Sequence, residues 1–265
     1  MFINDQREAE EAKKLKSDNF GKIPISGIYR ISVNDISFDM LTVNSDDTSV
    51  TDRFWNDNYQ DYTLEKWVLW TKEEGIHIDI GAHTGMYTIA AFAANSNNQL
   101  ISIEPFDLNF HRIITNLRLN NLSQKKISLF NYAVSDTNKK VKFHINSPLS
   151  YLSKGGKIST SGKDINAIKL DSLVISNTKM KVKSLKIDTE GEDLNVLKGS
   201  INLINKFMPK IIVETRRDNI EQIIDFLLSS GYKNIYDEKE NSIKKGNLIE
   251  FDNKQIVKDI FCDHY

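Results

Sequence analysis

Ile76-His77-Ile78-Asp79-Ile80-Gly81-Ala82-His83-Thr84-Gly85-Met86-Tyr87 reads as a strand, a turn and the first residues of a helix. The run Ile76 to Ile80 is short and apolar and stops at a glycine, as a buried strand does. Met86 to Ala94 is apolar and alanine-rich, as a helix is. Gly81 lets the chain turn sharply off the strand. Gly85 lets a ligand or a helix approach the backbone closely. The helix that follows points its N-terminal amides into the crevice beyond the strand ends. Open α/β sheets bind their ligands in that crevice.

Outward from this turn the rhythm repeats. Leu100 to Ile103 reads as a strand, and Asn109 to Asn120 as a helix with Phe110, Ile113, Ile114 and Leu117 at helical spacing. Ile127 to Val134 reads as a third strand. After a pause the pattern resumes with a strand at Ser184–Asp188, a helix at Leu194–Ile204, a strand at Lys210–Glu214 and a helix at Asn219–Ser229 stopped by Gly231. Two strands follow in succession, Tyr232–Tyr236 and Asn247–Phe251, and predict an antiparallel closing pair. Alternating strands and helices predict an α/β fold with a mostly parallel sheet.

The flanking regions lack this rhythm. Gln6–Lys16 reads as a short helix, Gly27–Val43 as a hairpin turning at Asn34-Asp35, and Leu64–Trp70 as helical. Residues 1–70 are expected to form an N-terminal extension and cap, and 71–265 the main domain. An insert is expected at about 141–183, where Ser153–Lys163 with Gly155-Gly156 marks a mobile loop. That loop is a candidate lid whose lysines could meet a phosphate.

The chain has 265 residues, with 35 basic and 36 acidic side chains and a formal net charge of −1. That balance argues against a nucleic-acid binder working through a broad basic face. Cys262 is the single cysteine, so neither a disulfide nor a zinc cluster can organise the fold. No stretch approaches the roughly 20 apolar residues that span a bilayer. Met1 to Leu15 carries Asp5, Glu8, Glu10 and Glu11 in place of a signal peptide's apolar core. The expectation is a soluble, cytoplasmic protein without a membrane span.

The next strand ends in Ile103-Glu104-Pro105. A carboxylate there can accept hydrogen bonds from both ribose hydroxyls, and Glu104 stands about 20 residues beyond the turn, as nucleoside binding requires. Dinucleotide sites want Gly-x-Gly-x-x-Gly, so that pyrophosphate can lie against the helix. Here three residues separate Gly81 from Gly85, and Asp79 precedes the turn. S-adenosylmethionine, which has no phosphate, suits this spacing better than a nicotinamide dinucleotide.

The sequence resembles the FkbM family of methyltransferases. Ile78 to Thr88 is similar to the family's first signature. Glu104-Pro105, Asn116 and Asn120-Asn121-Leu122 are similar to its second strand and following helix, and Asn131 to Asp136 to its third strand end. Leu170 to Leu173, Leu185 to Gly191, Val196 to Gly199, Pro209 to Glu214 and Leu227 to Tyr232 complete the likeness. It runs from about Tyr62 to Tyr236, and Lys186-Ile187-Asp188-Thr189-Glu190-Gly191 is its most specific piece. His83 stands where the family usually has Asn, Asp193 where Glu is common, and Thr189 where Val is usual. The resemblance implies a Rossmann-like class I methyltransferase fold and O-methylation of a hydroxyl on a carbohydrate or secondary metabolite. It places Gly81, Ala82, Gly85 and Tyr87 around the methionine end of S-adenosylmethionine, Glu104 on the ribose, and Ala133 and Ser135 at the adenine. Asp79, His83, Thr88, Pro105, Asn120 and Asp188 complete the expected cofactor shell.

An alcohol is a weak nucleophile at neutral pH, so methyl transfer to oxygen calls for a base or a metal. Asp188, Glu190, Glu192 and Asp193 form the densest carboxylate cluster in the chain. Three roles are open to it: a general base, with Asp188 and Glu190 as the candidates; a divalent-cation site; or stabilisation of a helix N-terminus. No His pair has metal-binding helical spacing, so zinc is not expected. His77 reads as structural, His83 as a possible contact to cofactor or substrate, and His144 as a surface residue or base. Trp55, Tyr59, Tyr62 and Trp67 could line an acceptor pocket or cap the sheet. The expected partner is a small-molecule or glycan acceptor. Transfer to nitrogen and a non-catalytic binding module with the same fold are the alternatives.

Overall fold

The computed structural model describes residues 2–3, 24–56, 59, 61–122, 126–145, 152, 156–173, 180–243 and 257–264. The expected helix at Gln6–Lys16 and strand at Asn247–Phe251 lie outside them.

A three-stranded sheet opens the chain. β1 (Phe2–Ile3) runs parallel to β2 (Ser26–Val33), which forms a hairpin with β3 (Ile36–Thr42). Asn34 makes the turn at φ 52°, a conformation Asn tolerates better than most residues. α1 (Thr48–Trp55) follows, capped by Asp47, whose carboxylate accepts from the Ser49 and Val50 amides. α2 (Tyr62–Thr71) is capped in the same way by Asp61.

The central sheet begins at β4 (Ile76–Ile80). α3 (Met86–Ala94), β5 (Gln99–Ile103), α4 (Asp107–Leu119) and β6 (Ile127–Phe130) follow. A second sheet is built from β7 (Ala133–Val134), β8 (Lys139–His144), β9 (Lys157–Ser159) and β10 (Lys163–Ile168). The chain then runs through α5 (Leu170–Leu173), β11 (Val182–Ile187), α6 (Asp193–Lys198), α7 (Ile201–Phe207), β12 (Lys210–Arg216), α8 (Ile220–Ser229), β13 (Asn234–Asp237) and β14 (Val257–Asp263). The seven-stranded order is β13-β14-β12-β11-β4-β5-β6. Only β14 runs against its neighbours, pairing antiparallel with both β12 and β13. The mostly parallel α/β sheet with an antiparallel C-terminal pair is therefore present, with Val257–Asp263 as the second strand of the pair.

All five residues of β4 are buried, because helices cover both faces of the sheet. Ile76, Ile78 and Ile80 join one apolar cluster with Leu197, Leu203, Ile223 and Leu227 from α6, α7 and α8. His77 and Asp79 face the other side, where α2, α3 and the N-terminal hairpin pack. There Trp67 meets the His77 ring edge-on at 6.1 Å. His77 Nδ1 lies 2.7 Å from Ser184 Oγ, and Nε2 lies 3.0 Å from the Glu73 carbonyl oxygen. Burial lowers its pKa to about 4, so it is a neutral core residue.

α4 binds the hairpin through side chains. Asn116 accepts from Leu41 N (3.0 Å) and donates to Thr84 O (2.9 Å), and Asn120 accepts from Asp39 N (2.8 Å) and donates to Asp39 O (2.7 Å). Arg112 pairs with Asp46 at 2.7 Å.

Two expected elements divide, and an expected loop forms strands. The run Ile127–Val134 splits into β6 and β7, which belong to different sheets. At the break, the Asn131 amide donates to the Glu104 and Pro105 carbonyls, and Ala133 pairs with Ala167. The helix expected at Leu194–Ile204 becomes α6 and α7, separated at Gly199-Ser200. Gly199 packs so closely that a Cβ there would lie 2.1 Å from Ser135 O. From residue 156 onward, the stretch expected as a mobile loop forms β9 and the start of β10, which flank β8 on either side, with His144 paired to Lys157 and Phe143 to both Ile158 and Lys163. Residues 153–155 lie outside the description.

Candidate functional site

Gly81 leaves β4 at φ +77°, and its amide donates to the Ile103 carbonyl (2.9 Å) at the end of β5. Gly85 caps α3 at φ +90°. Between them the turn opens onto a cavity of about 510 Å³ at the carboxyl ends of β4, β5, β11 and β12. That volume lies within the range for small-molecule sites.

Glu104 forms one wall and is 5% exposed. Its carboxylate accepts from the backbone amides of His83 (2.9 Å) and Phe106 (2.9 Å) and from the Asn109 side chain (3.3 Å). These bonds aim the group but do not fully offset burial, which together with nearby Asp79 raises its pKa to about 7. The neutral form is therefore favoured in the ligand-free fold below about pH 7. This contribution to stability is fully present below the ordinary value of 4.5 and is lost as the pH rises through about 7. A ligand that donates hydroxyls to the carboxylate should show the opposite trend. We predict that S-adenosylmethionine affinity, read by calorimetry, rises about tenfold between pH 6 and pH 8. Glu104→Gln should flatten that dependence, whereas an unchanged slope would remove Glu104 from it, since Asp193 and Asp259, both raised to about 6, contribute only about twofold over this range.

The facing wall follows β11. Lys186 is buried and donates to Asp188 Oδ2 at 3.0 Å, and its ammonium sits 4.3 Å from the centre of the Tyr87 ring. Burial alone would lower its pKa. Asp188, Asp79 and Asp259 outweigh that and raise it, so Lys186 is a fixed cation. Asp79 lies beside Lys186 in register and accepts from Thr88 Oγ1 at 2.7 Å. Thr63 Oγ1 donates to Asp259 Oδ2 at 2.7 Å. Lys186→Met should cost about 3–5 kcal/mol, because it strips three carboxylates of their buried counter-ion. The deficit relative to wild type in urea unfolding should be larger at pH 8 than at pH 5, where the acids take up protons. Lys186→Arg should retain most of the stability.

The carboxylate cluster diverges. Asp188 turns to Lys186, and Glu190, at φ 57°, pairs with Arg216. Asp193 turns inward and accepts from Thr189 N and Oγ1 (both 2.9 Å) and Gly191 N (3.1 Å), shaping the loop. Glu192 Oε2 accepts from Ser135 and Asn195, both at 3.0 Å. Among the described residues no three His, Cys, Asp or Glu side chains converge to hold a metal ion. The divalent-cation role gains no support from this geometry.

Of the expected site residues, Gly81, Ala82, His83, Tyr87, Glu104, Pro105, Ala133, Asp188 and Glu190 line the cavity together. Asp79, Gly85, Thr88 and Ser135 stand behind that lining and support it. Asn120 is placed elsewhere, at the end of α4 with its amide on Asp39. Of the aromatic residues, Tyr59 and Tyr62 line the cavity, while Trp55 and Trp67 belong to the core.

Sequence reasoning missed Thr84, Lys186, Glu214, Glu238 and Asp259, together with Arg53 and Asp61. A lysine inside the apolar run Leu185-Lys186-Ile187 and an acid ending β12 were available as signals. Asp61 and Asp259 carried none, because only folding brings their elements to the cavity. Thr84 is 1% exposed, and its hydroxyl has no protein partner among the described residues, as expected of a group kept for a ligand.

The profile described as the methyltransferase FkbM domain matches residues 79–233, from the glycine turn through Tyr232. The chain belongs to this family. The FkbM domain thus takes in most of the cavity wall, while Arg53, Tyr59, Asp61 and Asp259 come from outside it. Among solved structures, the chain is similar to a methyltransferase FkbM from Methylobacillus flagellatus KT at 15% identity and a TM-score of 0.49, over 71% of this chain and 43% of that one. It is also similar to the N-terminal domain of human METTL16 in complex with SAH, at 12% identity and a TM-score of 0.44, over 98% and 84% of the two chains. A third is M. jannaschii TYW2 in complex with AdoMet, at 11% identity and a TM-score of 0.42, over 90% and 91%. The chain spans less than half the length of the first of these. No curated protein matches the FkbM domain chain significantly. Among the described residues no helix is long and apolar enough to cross a membrane.

Proposed function

We propose that the chain transfers a methyl group from S-adenosylmethionine to a hydroxyl oxygen of a carbohydrate or other small hydroxylated metabolite. The observation that carries this reading is the cavity with Glu104 on one wall and Asp188 on the other. Gly81, Ala82, His83, Thr84 and Tyr87 would hold the amino-acid end of the cofactor. Glu104 would accept from the ribose hydroxyls, and Pro105, Tyr132 and Ala133 would flank the base. The cofactor supplies an activated methyl on a sulfonium.

The protein's part is alignment and proton removal. Holding the hydroxyl in line with the methyl removes much of the entropic barrier. Asp188 accepts the hydroxyl proton as the new C–O bond forms. Glu190, which Arg216 engages as Lys186 engages Asp188, is the second candidate base. Lys186 keeps Asp188 oriented. The test is transfer of radiolabelled methyl onto a panel of sugars, amino sugars, nucleotide sugars and glycan fragments, with and without chelator. Label appearing on nitrogen alone, or no label on any acceptor, would overturn the reading.

A further inference from the structure

The part of the cavity away from Glu104 is chemically one-sided. Asp61 enters it from the cap of α2, Asp188 and Glu190 from the end of β11, Glu214 from β12, Glu238 from the segment after β13, and Asp259 from β14. The cationic side chains among the described lining residues are Arg53 and Lys186. Both are already engaged, Arg53 with Asp61 and Lys186 with Asp188, and behind the lining Arg216 pairs with Glu190 and lies 3.6 Å from Glu214, so Glu238 and Asp259 are the acids of this wall that form no ion pair among the described residues.

The excess of acid is felt inside the fold. Burial, then Asp188, Asp193 and Glu190, push Glu214 up to about 9, and burial with Asp188 raises Asp259 to about 6. Carboxyl groups raised first by burial and then by their acidic neighbours gain most from a cationic ligand, which favours their ionised form. Aromatic faces stand among them. Tyr59 lies near Asp61 and Glu238 and Tyr87 near Asp61 and Asp259, and each ring already carries a cation on one face, Arg53 at 4.7 Å from the Tyr59 centre and Lys186 at 4.3 Å from that of Tyr87. Carboxylates interleaved with aromatic rings suit an ammonium group.

The described lysines of the insert do not reverse this balance. Gly156 and Ile158 reach the cavity from the β9 segment, so Lys157, next in alternation, points away. Lys142 pairs with Asp164 and Lys163 with Asp107, both on the exposed surface.

We propose that the hydroxyl-bearing acceptor also carries a protonated amine and no phosphate, its ammonium held among Tyr59, Asp61, Glu238 and Asp259. This rests on the methyl-transfer reading above. It narrows the acceptor class to amino sugars and comparable amino alcohols, and excludes nucleotide-linked sugars.

The test uses the full chain saturated with S-adenosylhomocysteine, whose binding is first measured by calorimetry. Glucosamine, glucose and glucose 6-phosphate are then compared as probes by ligand-observed NMR. Glucosamine should bind at least about tenfold more tightly than glucose, and glucose 6-phosphate should not bind. Glu238→Gln should weaken glucosamine several-fold with S-adenosylhomocysteine affinity unchanged. Equal binding of glucose, binding of the phosphate, or no binding by any probe would overturn the inference while leaving methyl transfer standing. Failure of S-adenosylhomocysteine to bind would instead overturn the methyl-transfer reading, and this inference with it.

Discussion

Gly81→Ala should leave a protein that fails to fold or melts at least about 10 °C lower. The backbone at Gly81 has φ +77°, and a Cβ built there would stand 1.7 Å from the Asp188 carbonyl oxygen. No flexible side chain can move aside, because the obstacle is backbone. That backbone is itself held: Asp188 N donates to the Ile80 carbonyl, and Gly81 N to the Ile103 carbonyl. Adding one methyl therefore pushes apart the carboxyl ends of β4 and β11, neighbouring strands paired as far as Ile80 and Ile187 at the floor of the site. A displacement of that kind costs about 4 kcal/mol or more, which for a domain of this size moves the melting point by about 10 °C. Gly191→Ala is the control. It also has positive φ, at +111°, but nothing lies within 4 Å of the added Cβ. Only the backbone penalty of about 1–2 kcal/mol applies there. Equal melting points for the two variants would show that the close approach at Gly81 is not what constrains the turn.

Asp188→Asn should lower kcat for methyl transfer about 10²- to 10⁴-fold, the usual contribution of a positioned base. S-adenosylmethionine affinity should change by less than about threefold, since Glu104 on the opposite wall, the proposed ribose ligand, is untouched. The ion pair with Lys186 is broken in this variant, but the Asp188 side chain is 40% exposed, so solvent screens it and the fold should tolerate the loss. Glu190→Gln is the parallel test, since Arg216 engages that carboxylate as Lys186 engages Asp188, and a loss as large as that of Asp188→Asn would make Glu190 the base. Full turnover by Asp188→Asn would remove it from the chemistry and point to Glu214 or Asp259 as the base.

The sheet was legible because its signal is local. Ile76 to Ile80, Leu185 to Ile187 and Ile211 to Val213 are apolar runs ending at turns or charged residues, and each is a buried strand. The breaks were less visible, because their causes lie far away in sequence. Nothing near Asn131 announces that its amide will hold two carbonyls at the end of β5, and nothing near Gly199 announces contact with Ser135. The cavity shows the same division. Residues on the glycine turn and at the ends of β5 and β11 were readable from motif position. Asp61 and Asp259 lie about 200 residues apart and meet only because α2 packs beside the reversed strand β14, where Thr63 bonds Asp259. Asn120 was misplaced for the complementary reason. Glu104 and Pro105 of the same motif line the cavity, but α4 turns both Asn116 and Asn120 toward the hairpin, at Leu41 and Asp39.

That hairpin contact bears on association between molecules. β3 is the outermost strand of its sheet, and an outer strand ordinarily presents a row of unpaired amides and carbonyls on which another chain can build. Here Asn116 and Asn120 take up the Leu41 amide and both backbone groups of Asp39, and Arg112 takes the Leu41 carbonyl. Side chains from one helix thus occupy the positions that a fourth strand would fill. Over Asp39 to Leu41 the edge is closed to templated strand addition, without proline or a bulge and without shortening the strand.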